Sequence, residues 1–238
     1  MTIAKAMHNI EKNLVLVQKK IEQSAISCKR NPEHITLLAV SKTKPIADII
    51  AAYEYGQRDF GENYLQEAEQ KIAELTDKDI IWHYIGPIQS NKTRKISELF
   101  DWVHSVDRLK IARRLNETHA ADKAPLNILL QVNIENEPSK SGILPDEILP
   151  LAKQIETFHR LKLRGLMAIP AIHKDPEQQR KPFAQMREAL TQLQQIYPDC
   201  DTLSMGMTGD MQAAIAEGST LVRIGTAIFG ARANKTTR

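Results

Sequence analysis

The feature that most constrains the fold is a regular alternation between short apolar runs and segments with helical periodicity. Residues 35–40 (ITLLAV) form a continuous apolar run, which is typical of a strand buried on both faces. The other predicted strands cover residues 58–61, 80–85, 102–105, 126–132, 161–167, 202–205 and 221–224. Between them, helices are predicted over residues 45–55, 65–75, 92–99, 107–119, 145–157, 183–196 and 211–216. Asp107 is predicted to be the N-cap of the helix that follows it.

Strict alternation of strand and helix indicates parallel strands joined by right-handed crossovers. Eight strands within 238 residues fit a closed (β/α)8 TIM barrel better than an open doubly wound sheet, which is the alternative that the pattern leaves open. We therefore expect residues 1–238 to form a single barrel domain of the α/β class. An extra N-terminal helix is predicted over residues 2–28, where Ile10, Leu14 and Val17 follow a helical spacing.

The composition and the charge are those of an ordinary globular protein, with 42% hydrophobic residues, 26% charged residues and a net charge of +3. No apolar run approaches the roughly 18–20 residues of a membrane helix, and the N-terminus lacks the apolar stretch of a secretory signal. The basic residues 91–95 are interpreted as a solvated helix face, because no aromatic residues interleave with them. We expect a cytoplasmic protein that binds neither membrane nor nucleic acid, with Cys28 and Cys200 as free thiols.

A lysine cluster follows the first predicted strand, where barrels of this type build their functional sites. Lys42 and Lys44 lie just beyond residues 35–40, and Pro45 indicates that the strand does not continue through them. Partly apolar surroundings lower the pKa of a lysine, so that its free amine can form an imine with a carbonyl compound. Two solvated loop lysines are the alternative interpretation.

Two glycine-bearing loops follow the last two predicted strands, at positions where such barrels often bind phosphate. The first loop, residues 204–210, contains Thr208, and the second contains Gly225 and Thr226. Glycine lets the backbone approach an anion closely, threonine hydroxyls are donors, and helix starts supply free N–H groups. We predict a phosphate site here, with ordinary turns and helix caps as the alternative.

A ligand that carries both a carbonyl and a phosphate would satisfy both features. From the residues alone, two chemotypes remain open, namely a sugar phosphate, as in Schiff-base aldolases, and pyridoxal 5′-phosphate (PLP). His83, at the end of the third predicted strand, is interpreted as a hydrogen-bonded structural residue, with a general base as the alternative. The histidines and cysteines show no metal-binding spacing, and no metal site is predicted.

Longer motifs choose between these chemotypes. They are AVSKTKP from residue 39, FGENY from residue 60, WHYIGPIQSNK from residue 82, GLMAIP from residue 165, SMGM from residue 204 and VRIGTAIFG from residue 222. In this order they closely resemble the pyridoxal phosphate homeostasis protein family, also called YggS-like or proline-synthetase co-transcribed proteins. The resemblance extends from the N-terminal helix to about residue 232. It implies a barrel like the N-terminal barrel of alanine racemase, with PLP as the cofactor.

The resemblance also implies roles for individual residues. Lys42 is implied to hold PLP as a Schiff base, and Lys44 to be an accessory lysine. His83 is counted as a further accessory residue. The other implied cofactor-binding residues are Asn63, Ser204, Met205, Thr208, Arg223, Gly225 and Thr226. Of these, Thr208, Gly225 and Thr226 match phosphate-binding positions. The family usually has serine where this chain has Thr208, and the hydroxyl is retained.

Arg223 matches the arginine that faces the pyridine nitrogen in this family. Arginine is always charged and only donates, so it would keep that nitrogen unprotonated and weaken the electron sink of the ring. We therefore expect no catalytic residues and no appreciable turnover. We expect instead a monomeric protein of vitamin B6 homeostasis, which buffers PLP or delivers it to PLP-dependent apoenzymes. The alternatives are a PLP-dependent amino-acid racemase and, further off, a Schiff-base aldolase. A racemase needs a second base, which alanine racemases take from an additional domain, and we expect none here because the chain ends at Arg238.

Overall fold

The computed structural model, which describes residues 3–171, 173 and 175–231 with side chains from residue 9 onward, is a closed parallel barrel. Its strands follow one another around the barrel in sequence order: β1 (Thr36–Val40), β2 (Asp59–Glu62), β3 (Ile81–Tyr84), β4 (Trp102–Val106), β5 (Leu126–Val132), β6 (Leu161–Ala168), β7 (Thr202–Ser204) and β8 (Leu221–Ile224). Pairing of β8 with β1 closes the barrel and sets Leu38 opposite Arg223. The predicted barrel is confirmed, and the open sheet is excluded.

The helices alternate with these strands and cover the outside of the barrel. They are α1 (Ile3–Ser27), α2 (Ile46–Glu54), α3 (Leu65–Glu74), α4 (Thr93–Leu99), α5 (Leu109–Thr118), α6 (Ile148–Ile155), α7 (Pro176–Gln194), α8 (Met211–Ala216) and α9 (Thr226–Phe229). The extra N-terminal helix is confirmed as α1, while residue 2 of its predicted range lies outside the described residues. Within the part of the chain that the structure describes, no helix is long and apolar enough to cross a membrane.

Two details of the helix predictions are wrong. The predicted helix at residues 183–196 begins seven residues earlier, because the Asp175 side chain accepts a hydrogen bond from the Gln178 amide and starts α7 at Pro176. Asp107 does not cap α5, since the helix begins at Leu109 with Arg108 as its N-cap residue. The Asp107 carboxylate instead accepts a hydrogen bond of 2.6 Å from the Arg108 guanidinium.

The apolar core lies mainly between the sheet and the helices. The stripe on α1 is buried there, as its spacing predicts, with Leu14 fully enclosed. Inside the barrel the buried groups are of a different kind, because His83, His104, Ser204 and Arg223 are all enclosed. A hydrogen bond from β4 to β7, which are not neighbours in the sheet, must cross this interior. The fold therefore places a polar cluster in the centre of the barrel.

Candidate functional site

The lysine cluster lies in a tight turn at the carboxyl end of β1. The Lys44 amide donates a hydrogen bond of 3.0 Å to the Ser41 carbonyl and so closes the turn. Thr43 has a φ of +63°, the left-handed conformation that the third position of a type II turn requires. Lys42, at the second position, is half-buried. The strand thus ends before the lysines, as Pro45 predicted, and the two lysine side chains do not share a strand face.

A buried ionic network holds this turn in place. Within it, the Ser41 hydroxyl donates to Glu62 Oε1 at 2.6 Å, and Lys71 Nζ donates to the same oxygen at 2.7 Å. Lys71 Nζ also donates to the Ser41 carbonyl at 2.9 Å. Glu67 accepts from Lys71 at 2.5 Å and from the Thr43 amide at 2.6 Å. Burial raises the pKa of Glu62, and the charge of Lys71 opposes that shift. The sequence pattern does not predict this network.

Lys44 binds to the end of the last helix rather than to the turn itself. Its ammonium group donates hydrogen bonds of 2.9 Å to each of the carbonyls of Phe229, Gly230 and Ala231. A lysine that satisfies the free carbonyls at a helix C-terminus is a common stabilising arrangement. Lys44 thereby ties the turn after β1 to the segment after β8.

The two predicted phosphate loops lie at the carboxyl ends of β7 and β8, and β8 is the direct neighbour of β1. Thr208 and Thr226 are exposed, while Gly225 is half-buried. α9 begins at Thr226 without a side-chain cap, and the amides of Thr226 and Ala227 find no acceptor among the described residues. Free amides at a helix start are suited to an anion.

Two other predicted residues, at the end of β7, are engaged with protein groups. Met205 packs its side chain into the core between sheet and helices, and its amide donates to the Leu221 carbonyl. The Met205 carbonyl accepts from the Ser219 hydroxyl at 2.7 Å. Ser204 points inward, where its hydroxyl contacts Arg223 at 2.8 Å. Both residues therefore support the loops and the interior rather than present free polar groups.

Arg223 on β8 is a buried cation held by main-chain and hydroxyl oxygens. Nη1 donates to both the carbonyl and the hydroxyl of Ser204 at 2.8 Å, and Nη2 donates to the Ala168 carbonyl at 2.9 Å. Burial lowers the pKa of Arg223 to about 10, with Asp210 acting in the opposite direction, so the guanidinium remains charged at neutral pH. Of its five N–H donors, three have acceptors among the described residues, which leaves capacity for a ligand.

A chain of hydrogen bonds continues from Arg223 through the barrel. We call its five residues the interior chain: Arg223, Ser204, His104, His83 and Asp59. The Ser204 hydroxyl contacts His104 Nδ1 at 3.0 Å, and His104 Nε2 contacts His83 Nδ1 at 2.9 Å. His83 Nε2 contacts Asp59 Oδ1 at 3.0 Å. Burial, followed by electrostatic interactions with His83 and Arg223, holds the pKa of His104 well below its usual value. Both ring nitrogens of His83 are thus used within the protein, and neither His104 nor Asp59 was singled out from the sequence.

Asn63, just after β2, has a side-chain oxygen that lacks a hydrogen-bond donor among the described residues. Its Oδ1 atom is buried and receives no hydrogen bond from the described part of the chain. The Asn63 backbone packs so tightly on Gly86 that a Cβ there would lie 2.1 Å from the Asn63 carbonyl oxygen. A ligand with a hydroxyl donor would satisfy this orphaned oxygen.

These features together suit an aldehyde that carries a phosphate and a ring nitrogen. A lysine amine, free amides, an orphaned acceptor and a buried guanidinium all belong to the carboxyl ends or interiors of strands of one barrel. Groups of histidine, cysteine and carboxylate residues able to hold a metal ion are absent from the described residues. The lysine, the amides, the orphaned acceptor and the guanidinium therefore fit an organic phosphate.

Comparison with known proteins places the chain among relatives of similar length. The family model described as "Alanine racemase, N-terminal domain" matches residues 7–233. The "Pyridoxal phosphate homeostasis protein" of Haemophilus influenzae is 56% identical, and the match covers 94% of this chain and 96% of that protein. The solved structure of PipY from Synechococcus elongatus with PLP bound has a TM-score of 0.81 and 38% identity, covering 93% of this chain and 100% of that chain.

Alanine racemases share the fold at much lower identity. The enzyme from Corynebacterium glutamicum has a TM-score of 0.69 and 16% identity over 98% of this chain and 63% of that chain. A likeness at this level shows a common barrel and does not extend to the reaction.

Proposed function

The chain belongs to the family of pyridoxal phosphate homeostasis proteins, and on that premise we propose that it holds PLP as a Schiff base on Lys42 and buffers or delivers it within the cell. The observation that carries the proposal is the pairing of β1 with β8. This pairing sets the turn of Lys42 beside the strand of Arg223 and the loop of Thr226. An amine, a ring-facing guanidinium and an anion site thus lie on neighbouring strands.

Lys42 supplies the covalent link. Its Nζ would hold the aldehyde carbon of PLP as an imine, a linkage whose formation releases the carbonyl oxygen as water. The network of Glu62, Glu67 and Lys71 fixes the backbone of the turn from which Lys42 extends. Lys44 serves this arrangement indirectly, because it anchors the turn to the end of α9.

The remaining residues bind the other ends of PLP. Thr208, Thr226 and the amides at the start of α9 are proposed to hold the phosphate, with Gly225 allowing close approach. Asn63 is proposed to accept from the ring hydroxyl. Arg223 is proposed to donate to the pyridine nitrogen, which would then stay unprotonated. When bound, PLP supplies an electron sink. That sink is strong where an acidic side chain keeps the ring nitrogen protonated, and it is weak where arginine donates a hydrogen bond to this nitrogen.

The weak sink favours a carrier over an enzyme. We propose that the protein has no appreciable racemase, transaminase or decarboxylase turnover and that PLP-dependent apoenzymes receive its cofactor. A single barrel domain, a monomeric state, a cytoplasmic location and the absence of nucleic-acid partners remain predictions from the sequence.

Absorbance titration with PLP tests the binding proposal. We expect wild-type protein and Lys44→Ala to develop the visible absorbance of a PLP Schiff base, and Lys42→Ala to remain colourless while staying folded. A protein that stays colourless with PLP but forms an imine with a sugar phosphate would instead be an aldolase.

Proton exchange tests the carrier proposal. The protein loaded with PLP is incubated in deuterium oxide with alanine and a panel of other amino acids, followed by Cα deuteration and chiral analysis. We expect retention of chirality at substoichiometric protein. Rapid loss of chirality that Lys42→Ala abolishes would establish the racemase alternative.

A further inference from the structure

The interior chain connects the two ends of the barrel. Asp59 is the first residue of β2, and its side chain is 24% exposed at the N-terminal mouth. Arg223 is the third residue of β8, beside the proposed ligand, at the other end of the chain. Between them, His83, His104 and Ser204 are 1% exposed or less. Every step between neighbours measures 2.8–3.0 Å.

The Asp59 end fixes the direction of these hydrogen bonds when both imidazoles are neutral, because a carboxylate can only accept. A neutral His83 therefore donates from Nε2–H to Asp59 and accepts at Nδ1 from His104 Nε2–H. A neutral His104 then accepts at Nδ1 from the Ser204 hydroxyl, whose oxygen accepts from Arg223. Each neutral imidazole uses one donor and one acceptor, and no position in the chain is left over.

The reverse direction does not close. A proton on His104 Nδ1 would require His83 Nδ1 to donate to His104 Nε2. A neutral His83 would then turn a bare nitrogen lone pair towards the Asp59 carboxylate, 3.0 Å away. The low pKa of His104 keeps that ring neutral, so the ring carries a single N–H.

Aromatic and charged side chains surround the outer end of the interior chain, where a cavity opens. The His83 ring stacks on Trp102, with centroids 5.5 Å apart, and the Arg164 guanidinium lies 4.8 Å from the Trp102 centroid. A cavity of about 450 Å³ opens at this mouth. Its titratable and charged lining groups are Glu33, His34, Asp59, His83, Arg164 and Asp201. Arg164 is paired with Asp201 at 2.6 Å, and Asp59 also borders a second cavity whose charged lining residues include Lys19, Glu22, Glu33 and Arg58.

We infer that the interior chain positions Arg223 towards the ring nitrogen of the ligand and transmits the charge of Asp59, at the opposite mouth of the barrel, to the ligand. His83 and His104 are positioning residues in this account, because they act on the ligand only through Ser204 and Arg223. The inference rests on the proposed function. It adds that a carboxylate remote from the cofactor adjusts the electronic state of the cofactor.

The first test needs no ligand. In protein with ¹⁵N-labelled histidine at pH 7.5, the ring nitrogen shifts report the tautomer, with assignment by His83→Gln and His104→Gln. We expect the Nε2–H tautomer for both residues. An Nδ1–H tautomer at His104 would overturn the inference, whatever the protein does with PLP.

The second test is a double-mutant cycle read from the pH midpoint of the absorbance change of bound PLP. Asp59→Asn keeps the shape of the side chain and removes its charge, so we expect the midpoint to move down as protonation beside the ligand becomes less favourable. Asp101→Asn is the matched control, since it removes a carboxylate just before β4 whose contact is with the Trp82 amide. We expect Asp101→Asn to shift the pH midpoint less, because Asp101 acts on the ligand only through space and not through the hydrogen bonds of the interior chain.

The decisive arm repeats Asp59→Asn in a His104→Phe background, where the interior chain is cut. We expect the shift caused by Asp59→Asn to be lost in that background, as coupled residues require. The inference is refuted if Asp59→Asn shifts the pH midpoint equally in both backgrounds. It is also refuted if Asp59→Asn and Asp101→Asn shift the midpoint equally. If His104→Phe does not fold, the comparison with Asp101→Asn and the tautomer measurement decide. If wild-type protein shows no absorbance with PLP, the proposed function fails, and the tautomer measurement still judges the chain.

Discussion

Lys71→Met removes the cation from a carboxylate that is completely enclosed. Glu62 is 0% exposed and Lys71 is 4% exposed, with 2.7 Å between Nζ and Oε1. Removing one partner of a buried ion pair costs about 3–5 kcal/mol, because the remaining charge is left without solvation. A chain of this length has an unfolding entropy of about 0.5 kcal/mol/K, so we expect the Tm, measured by circular dichroism, to fall by about 6–10 °C.

The loss should also depend on pH in a defined direction. Burial raises the pKa of Glu62, and Lys71 opposes the rise, so the variant has a still higher folded-state pKa. Between the unfolded pKa and this raised value, the folded state binds a proton that the unfolded state does not. Stability then falls as pH increases through the window. The deficit of Lys71→Met should be larger at pH 8 than at pH 5.

Two further variants test the reasoning. Lys95→Met breaks an exposed pair with Glu69 at 3.3 Å and should cost less than about 1 kcal/mol. Adding Glu62→Gln to Lys71→Met removes the uncompensated charge and should restore part of the lost Tm. A Lys71→Met deficit no larger than that of Lys95→Met, or a double variant no more stable than Lys71→Met, would refute the argument.

Three other predictions follow from single contacts. Thr208→Ala or Thr226→Ala should weaken PLP binding about tenfold to a hundredfold in equilibrium dialysis, since each removes a hydrogen bond to a charged group; equal wild-type affinity for pyridoxal and PLP would contradict this. Burial raises the pKa of Cys200 to about 12, so at pH 8 a thiol reagent should label only the chain's other cysteine until the protein unfolds, and rapid labelling of both would be contrary. Gly165→Ala should lower the Tm strongly, because φ is +143° and a Cβ would lie 1.9 Å from a carbonyl oxygen of β7; an unchanged Tm would show that the barrel yields there.

The fold could be predicted from the sequence because its signals are local. Apolar runs and helical spacing can be recognised within about ten residues, and the order of the elements is then compatible with few topologies. The start of α7 was missed for the same reason. Its first turns, from Pro176 to Lys181, are polar and precede Pro182, so they look like a loop, while the cap at Asp175 depends on one side-chain hydrogen bond.

Only part of the candidate site could be predicted from the sequence. Lys42 and Thr226 could be placed because both follow strands of a predicted barrel. The interior chain could not, since the partners His104 and Ser204 are 100 residues apart and meet only across the closed barrel. One signal was present, because His104 follows Trp102 by two residues and so shares its strand face in β4. The Glu62–Lys71 pair likewise depends on how α3 packs beside β2.

Borohydride reduction shows whether PLP is attached covalently to Lys42. The protein is incubated with PLP, reduced with borohydride and digested, and the modified peptide is mapped by mass spectrometry. Because reduction converts the imine to a stable secondary amine, the label records which lysine was bound. We predict the label on Lys42, and none when Lys42→Ala is treated identically. A label on Lys44 without any on Lys42 would contradict the account.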